Sequence, residues 1–133
     1  MSTPSIGNEP EGTRRPHVLV VDDTRGDRLV LTYLLQRSHV RVTAVEGVKE
    51  ALEFLDSQND VNMIVSDYCM PEMNGYDLLM EVKNSPPLAH IPVVIASSDN
   101  IPERIQKCLD GGAKEYIVKP VQIPDVLRIL RYI

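Results

Sequence analysis

HVLVVDD, residues 17–23, decides the fold: four aliphatic residues follow His17 without a break and run straight into two adjacent aspartates. A strand with one wet face would alternate apolar and polar side chains, whereas a continuous run belongs to a strand buried on both faces of a parallel sheet. Similar short runs recur at Arg41–Val45, Met63–Ser66, Val93–Ala96 and Tyr116–Val118, and longer amphipathic stretches separate them. This alternation predicts a single (βα)5 domain of the α/β class, doubly wound, with a central five-stranded parallel sheet.

The intervening stretches read as helices. Thr24 followed by Asp27 has the form of a capping box, after which Val30, Tyr33, Leu34 and Arg37 fall at helical spacing on one mostly apolar face. Val48, Ala51, Leu52 and Leu55 form a second stripe, Leu78, Leu79 and Val82 a third after Gly75, and Ile101, Ile105, Cys108 and Leu109 a fourth. Gly111 and Gly112 should end the fourth helix, since glycine accepts the left-handed conformation of a C-terminal cap. Pro124 suits the first turn of the last helix, whose inner face would be Val126, Ile129, Leu130 and Ile133. That pattern has no stop signal at Ile133, as expected of a shortened chain or a minimal domain. Residues 1–15 hold one large apolar residue, Ile6, and are expected to form a flexible tail ahead of a domain spanning 16–133.

Composition removes several function classes. With 43% hydrophobic and 25% charged residues, the 133-residue chain is an ordinary globular one that needs no disulfide or structural metal for its core. Cys69 and Cys108 have no metal-ligand spacing, and their number fits a reducing compartment. A net charge of -5 opposes a nucleic-acid-binding surface, and no apolar run approaches a bilayer span, so neither nucleic acid nor membrane is expected as a partner. His17, His39 and His90 share no ligand spacing and read as surface or strand-end residues; Arg14 and Arg15 are too few for a targeting signal.

The chemistry-bearing residues stand where strands end: Asp22 and Asp23 after the first, Asp67 after the third, Ser97 and Ser98 after the fourth, Lys119 after the fifth. In an open α/β sheet these ends meet at one crevice. Three carboxylates crowded there raise one another's pKa or demand a cation. Mg²⁺ fits, because it takes hard oxygen ligands and leaves positions for water and phosphate oxygens. Lys119 supplies a positive charge suited to a phosphoryl oxygen, and a serine hydroxyl can donate to the same group. Pro120 permits a cis peptide that would turn Lys119 inward.

VVDD ending at Asp23, DYCMPEMNG at residues 67–75, ASS at 96–98 and KP at 119–120 together resemble the receiver domain of two-component response regulators. The resemblance covers His17 to Ile133, and DYCMPEMNGYDLL with IPVVIASSDNIPERI is similar to the type-A regulators of plant cytokinin signalling. Ala96 and Asp99 depart from the MSSEN of many type-A members. The resemblance implies a flavodoxin-like fold, Asp67 as phosphoacceptor, and Asp22, Asp23, Asp67 and the backbone carbonyl of Cys69 as Mg²⁺ ligands. It further implies Ser97 and Lys119 as phosphoryl contacts, Ser97 and Tyr116 as switch residues, and Met70, Pro71 and Gly75 as shapers of the loop after Asp67. The implied partners are a histidine-containing phosphotransfer protein or histidine kinase upstream and signalling proteins downstream, in nucleus or cytoplasm. The domain would be a signalling receiver rather than an enzyme with a turned-over substrate, promoting only its own phosphorylation and dephosphorylation.

Two other readings share the architecture. A receiver cut from a larger regulator with a DNA-binding output domain has the same residues. A flavodoxin-like cofactor binder would need Gly, Ser or Thr amides after the first strand, where Asp22 and Asp23 repel phosphate unless metal intervenes. A phosphohydrolase would need an acid/base carboxylate close after Asp67, and Tyr68 and Cys69 offer none.

Overall fold

The computed structural model describes residues 15–133, so all but Arg15 of the expected tail lies outside the described residues. Five strands, β1 (His17–Val21), β2 (Arg41–Val45), β3 (Met63–Asp67), β4 (Val93–Ser97) and β5 (Glu115–Val118), pair in parallel in the order β2-β1-β3-β4-β5. Helices α1 (Arg25–Arg37), α2 (Val48–Ser57), α3 (Gly75–Lys83), α4 (Pro102–Asp110) and α5 (Ile123–Ile129) alternate with them, and a 3₁₀ turn, Leu130–Tyr132, follows. This is the expected doubly wound α/β fold.

The strands' two-residue period divides the core. Leu19, Val21, Ile64, Val93 and Ile95 point to one face and pack with Val48, Ala51, Leu55, Leu78, Leu79, Val82 and Cys108 from α2, α3 and α4. Val18, Val20, Met63, Val65, Val94 and Ala96 point to the other, against Leu31, Leu35, Val126 and Ile129 from α1 and α5. Each of these large side chains contributes about 1.5–3 kcal/mol by leaving water. β1, β3 and β4 are buried throughout, as their unbroken apolar runs require. β2 and β5 are the sheet edges and are only partly buried. His17 opens β1 with its ring bonded to Asp60 (3.1 Å) and Thr43 Oγ1 (2.8 Å), so it is a strand-end histidine.

Several local expectations need correction. Thr24 occupies the N-cap of α1 but its side chain makes no cap bond, and the Asp27 carboxylate that would complete the box accepts from Lys119 instead. The buried residues of α1 are Leu31 and Leu35, whereas Tyr33 and Val30 lie outside; apolar residues at 29–31 and 33–35 cover more than one face of the helix middle, and the sheet selects the stripe one step along. In α4 only Cys108 is buried, while Ile101 and Leu109 stay exposed beside the edge strand β5. Its C-terminal stop uses one glycine in the left-handed region, Gly112 at φ 111°, whereas Gly111 remains right-handed and leaves no room for a Cβ, which would meet Met80 and Tyr76. α5 tightens into the 3₁₀ turn after Ile129, which leaves Ile133 exposed instead of on the inner face.

Candidate functional site

The strand order reverses direction between β1 and β3, and their carboxyl ends open a common crevice. Asp22 and Asp23 leave β1 there, and Asp67 is the last residue of β3. One carboxylate oxygen from each of the three lies within 4.8 Å of the others; Asp22 and Asp67 are buried and Asp23 is exposed. Asp22 is fixed from its own loop: the Thr24 amide donates to Oδ1 at 2.9 Å, and Arg28 Nη1 donates to the Asp22 carbonyl at 2.8 Å.

Lys119 enters from the far side. Its backbone N–H donates to the Ser97 carbonyl at 2.8 Å, the Lys119–Pro120 bond is cis, and Nζ points into the crevice. Nζ lies 2.9 Å from Asp22 Oδ2, 3.0 Å from Asp27 Oδ2 and 3.4 Å from Asp67 Oδ1. Burial alone would favour the neutral amine, but the hydrogen bonds to Asp22 and Asp27 outweigh it and hold the ammonium well above its ordinary pKa. Lys119 is therefore charged at any physiological pH.

Asp67 responds oppositely. Burial, reinforced by the charge of Asp22, pushes its carboxyl up to about 6, although Lys119 and the Cys69 amide pull the other way. One ammonium shared among Asp22, Asp27 and Asp67 does not neutralise the cluster. Convergent hard oxygen donors with uncompensated negative charge fit a divalent cation.

The remaining residues sit around this centre. Ser97 ends β4 next to β3, one residue beyond the Ala96 that pairs with Asp67, and is buried, whereas Ser98 is exposed. The Ser97 Oγ accepts the Asp99 amide at 3.2 Å. Tyr116, half-buried on β5, donates its hydroxyl to the Asp99 carbonyl at 3.0 Å, and burial pushes its phenol up. Cys69 turns its thiol outward to the Asp99 carboxylate at 3.6 Å; burial first, then that carboxylate, raises the thiol's pKa.

After Asp67 the chain must double back to start α3. The Met73 amide donates to the Pro71 carbonyl at 2.8 Å, Glu72 sits at φ 69°, and the Gly75 amide donates to the Tyr68 carbonyl at 2.9 Å. Asn74 and Asp77 then form a reciprocal capping box. Sequence reading missed Asp27 as a Lys119 partner, Arg28 as a brace for Asp22, and Asp99 with Arg104 beside Tyr116 and Cys69. Asp27 was legible only as an acidic residue in the first turn of α1.

Comparison with known proteins agrees with this geometry. Residues 18–131 match the family described as response regulator receiver domain. The chain is 75% identical over 118 residues to the two-component response regulator ORR13 of Oryza sativa subsp. japonica, covering 89% of this chain and 98% of the relative. It is 51% identical over 129 residues to ORR3 of Oryza sativa subsp. indica, covering 97% and 95%. Among solved structures, Vibrio cholerae chemotaxis protein CheY4 superposes with a TM-score of 0.81 at 26% identity over 89% of this chain and 98% of that one. A response regulator receiver protein from Pseudomonas putida gives 0.82 at 26% identity over 90% and 98%. Because the matched region contains every residue of the acidic crevice together with the strands that carry them, this chain belongs to the response regulator receiver domain family.

Proposed function

We propose that the domain of residues 16–133 takes a phosphoryl group from a phosphohistidine onto Asp67 and changes conformation in response. The donor would be a histidine-containing phosphotransfer protein or a histidine kinase. The observation that carries this reading is the convergence of Asp22, Asp23 and Asp67 with Lys119 at the sheet's reversal point. An Asp67 carboxylate oxygen forms a bond to phosphorus while the phosphorus–nitrogen bond to the donor imidazole breaks, and the imidazole leaves with that electron pair. Hydrolysis of the resulting acyl phosphate returns the carboxylate and releases inorganic phosphate.

Asp22, Asp23, Asp67 and the Cys69 carbonyl would hold Mg²⁺, which when bound supplies positive charge to the transferring oxygens. Lys119, already charged, would exchange part of its contact with Asp22 and Asp27 for a phosphoryl oxygen. Ser97 would donate its hydroxyl to another, and Tyr116 would carry the change to the β5–α4 surface. Two charge-assisted hydrogen bonds at about 1.5–3 kcal/mol each give about 3–6 kcal/mol. Near-complete reversal of a two-state equilibrium takes about 5.5 kcal/mol, so contacts to Ser97 and Lys119 are of the required size.

The rice relative ORR13 is matched over 98% of its own length and ORR3 over 95%, a likeness that supports a type-A, stand-alone cytokinin regulator in nucleus or cytoplasm over a receiver joined to a DNA-binding output domain. The net charge of -5 opposes direct contact with nucleic acid, so the output would pass through downstream signalling proteins.

Incubation with Mg²⁺ and a phosphorylated histidine phosphotransfer protein, followed by mass mapping of the acyl phosphate, tests acceptor and metal together. Label on Asp67 that chelation prevents is the expected result; stable label on another residue would sink the assignment. Ser97→Ala should still accept the phosphoryl group but lose about 1.5–3 kcal/mol of the conformational response. Calorimetric titration with a downstream partner measures it, and partner affinity indifferent to the substitution would remove Ser97 from the switch.

A further inference from the structure

We propose that Asp99 and Arg104 form a latch across the mouth of the crevice that opposes the phosphoryl-driven change, with Arg104 as its positioning residue. This rests on Asp67 being the phosphoacceptor. Arg104 stands in the first turn of α4, and its Nη1 donates to the Asp99 carboxylate. The same nitrogen lies 3.9 Å from the Cys69 sulfur, and the guanidinium carbon sits 4.2 Å over the Tyr68 ring. Tyr68 and Cys69 directly follow Asp67. One side chain thus ties the β4–α4 loop to the loop that leaves the acceptor.

Asp99 is held at three points: its amide by the Ser97 hydroxyl, its carbonyl by the Tyr116 hydroxyl, and its carboxylate by Arg104. The two switch residues therefore share a backbone unit that Arg104 anchors from the first turn of α4. For Ser97 to turn toward a phosphoryl group and Tyr116 to change its seat, the Asp99 unit must move. That movement strains or breaks the ion pair and its ring stack. The Arg104 and Asp99 side chains are 26% and 40% exposed, so the pair is worth at most about fivefold in an equilibrium. The cation–ring stack adds about twofold to fivefold. A restraint of this size holds the resting state yet yields to two phosphoryl contacts.

Arg104→Gln, Asp99→Asn and Arg104→Lys are to be titrated with beryllofluoride, a phosphoryl mimic, in Mg²⁺, and each metal-free protein compared by amide NMR. Asp99→Asn, which loses only the ion pair, should bind the mimic up to about fivefold more tightly, and Arg104→Gln, which also loses the ring stack, about fivefold to twentyfold. Without mimic, their Ser97 and Tyr116 amide resonances should move along the line that joins the resting and mimic-bound positions of the parent. Arg104→Lys retains the charge but loses the planar stack, and should fall between. Unchanged or weaker binding, or resonances displaced off that line, would overturn the latch. If the parent itself shows no Mg²⁺-dependent binding that Asp67→Asn abolishes, the phosphoacceptor reading fails and the latch falls with it.

Discussion

Asp67→Asn is expected to give a protein that takes no phosphoryl group and yet, stripped of divalent metal, is more stable than the parent at pH 8. The folded-state pKa of about 6 lies above the ordinary 3.8, so the folded protein holds the Asp67 proton more tightly than the unfolded chain does. The folded state therefore gains from protonation. This contribution is complete below about pH 4, drains away as pH rises toward 6, and is absent above. A separation of about two pKa units corresponds to about 3 kcal/mol at most. Asparagine keeps the shape without the charge; the raised value already includes the attraction of Nζ at 3.4 Å, and screening by solvent at the open crevice reduces the gain to about 1–2 kcal/mol. Urea unfolding in a chelator should show the two proteins nearly equal at pH 4 and separated by that amount at pH 8. Added Mg²⁺ should then stabilise the parent far more than the variant, since the variant has lost a ligand and a charge. A variant less stable than the parent at pH 8 without metal would show that the crevice tolerates its carboxylates unaided. The same charge crowding that makes Asp67 an unfavourable resident of the crevice on its own is what would make room there for the cation of the proposed function.

How much of this was readable in the residues depends on whether the information was local. β1, β3 and β4 announced themselves because strands buried on both faces carry unbroken aliphatic runs. β3 and β4 each run one residue further than their apolar stretch, into Asp67 and Ser97, and polarity there hid strand geometry. Those two residues are buried because the site is built on strand ends, where side-chain polarity marks chemistry and not exposure. α1 exposed the opposite weakness. Leu29, Val30, Leu31, Tyr33, Leu34 and Leu35 surround much of the helix, so periodicity offered two stripes and only packing on the sheet chose Leu31 with Leu35. Asp27 was legible as a helix-start acid but not as a partner of Lys119, 92 residues away. The Asp99–Arg104 pair spans a loop and a helix start, a spacing that no helical or strand period singles out.

Gly75→Ala is expected to destabilise the domain by about 3 kcal/mol and to slow phosphoryl acceptance at Asp67 at the same time. An alanine Cβ at this position would stand 2.4 Å from the Asp67 carbonyl oxygen and 3.0 Å from the Tyr68 Cα. Both obstacles are backbone, so no side chain can rotate away; the loop under the acceptor has to move or α3 has to withdraw. Intrinsic propensity argues the other way, since alanine at a helical position is favoured over glycine by up to about 1 kcal/mol. Overpacking against backbone costs about 1–3 kcal/mol and occasionally more, and a contact this close belongs at the upper end. The propensity gain is further muted at Gly75, which starts α3 directly after the Asn74 cap and donates its amide to the Tyr68 carbonyl at 2.9 Å. Displacing that segment moves Asp67 relative to Asp22 and Lys119, so chemistry should suffer along with stability. Gly26→Ala is the control: a Cβ added there would meet no heavy atom within 4 Å, and a small gain in stability is expected. Urea midpoints for the two variants, with labelling rates measured under conditions where both remain folded, separate the effects. Gly75→Ala with full stability and the parent's labelling rate would mean that the close approach of α3 to the acceptor loop is not needed to hold Asp67 in place.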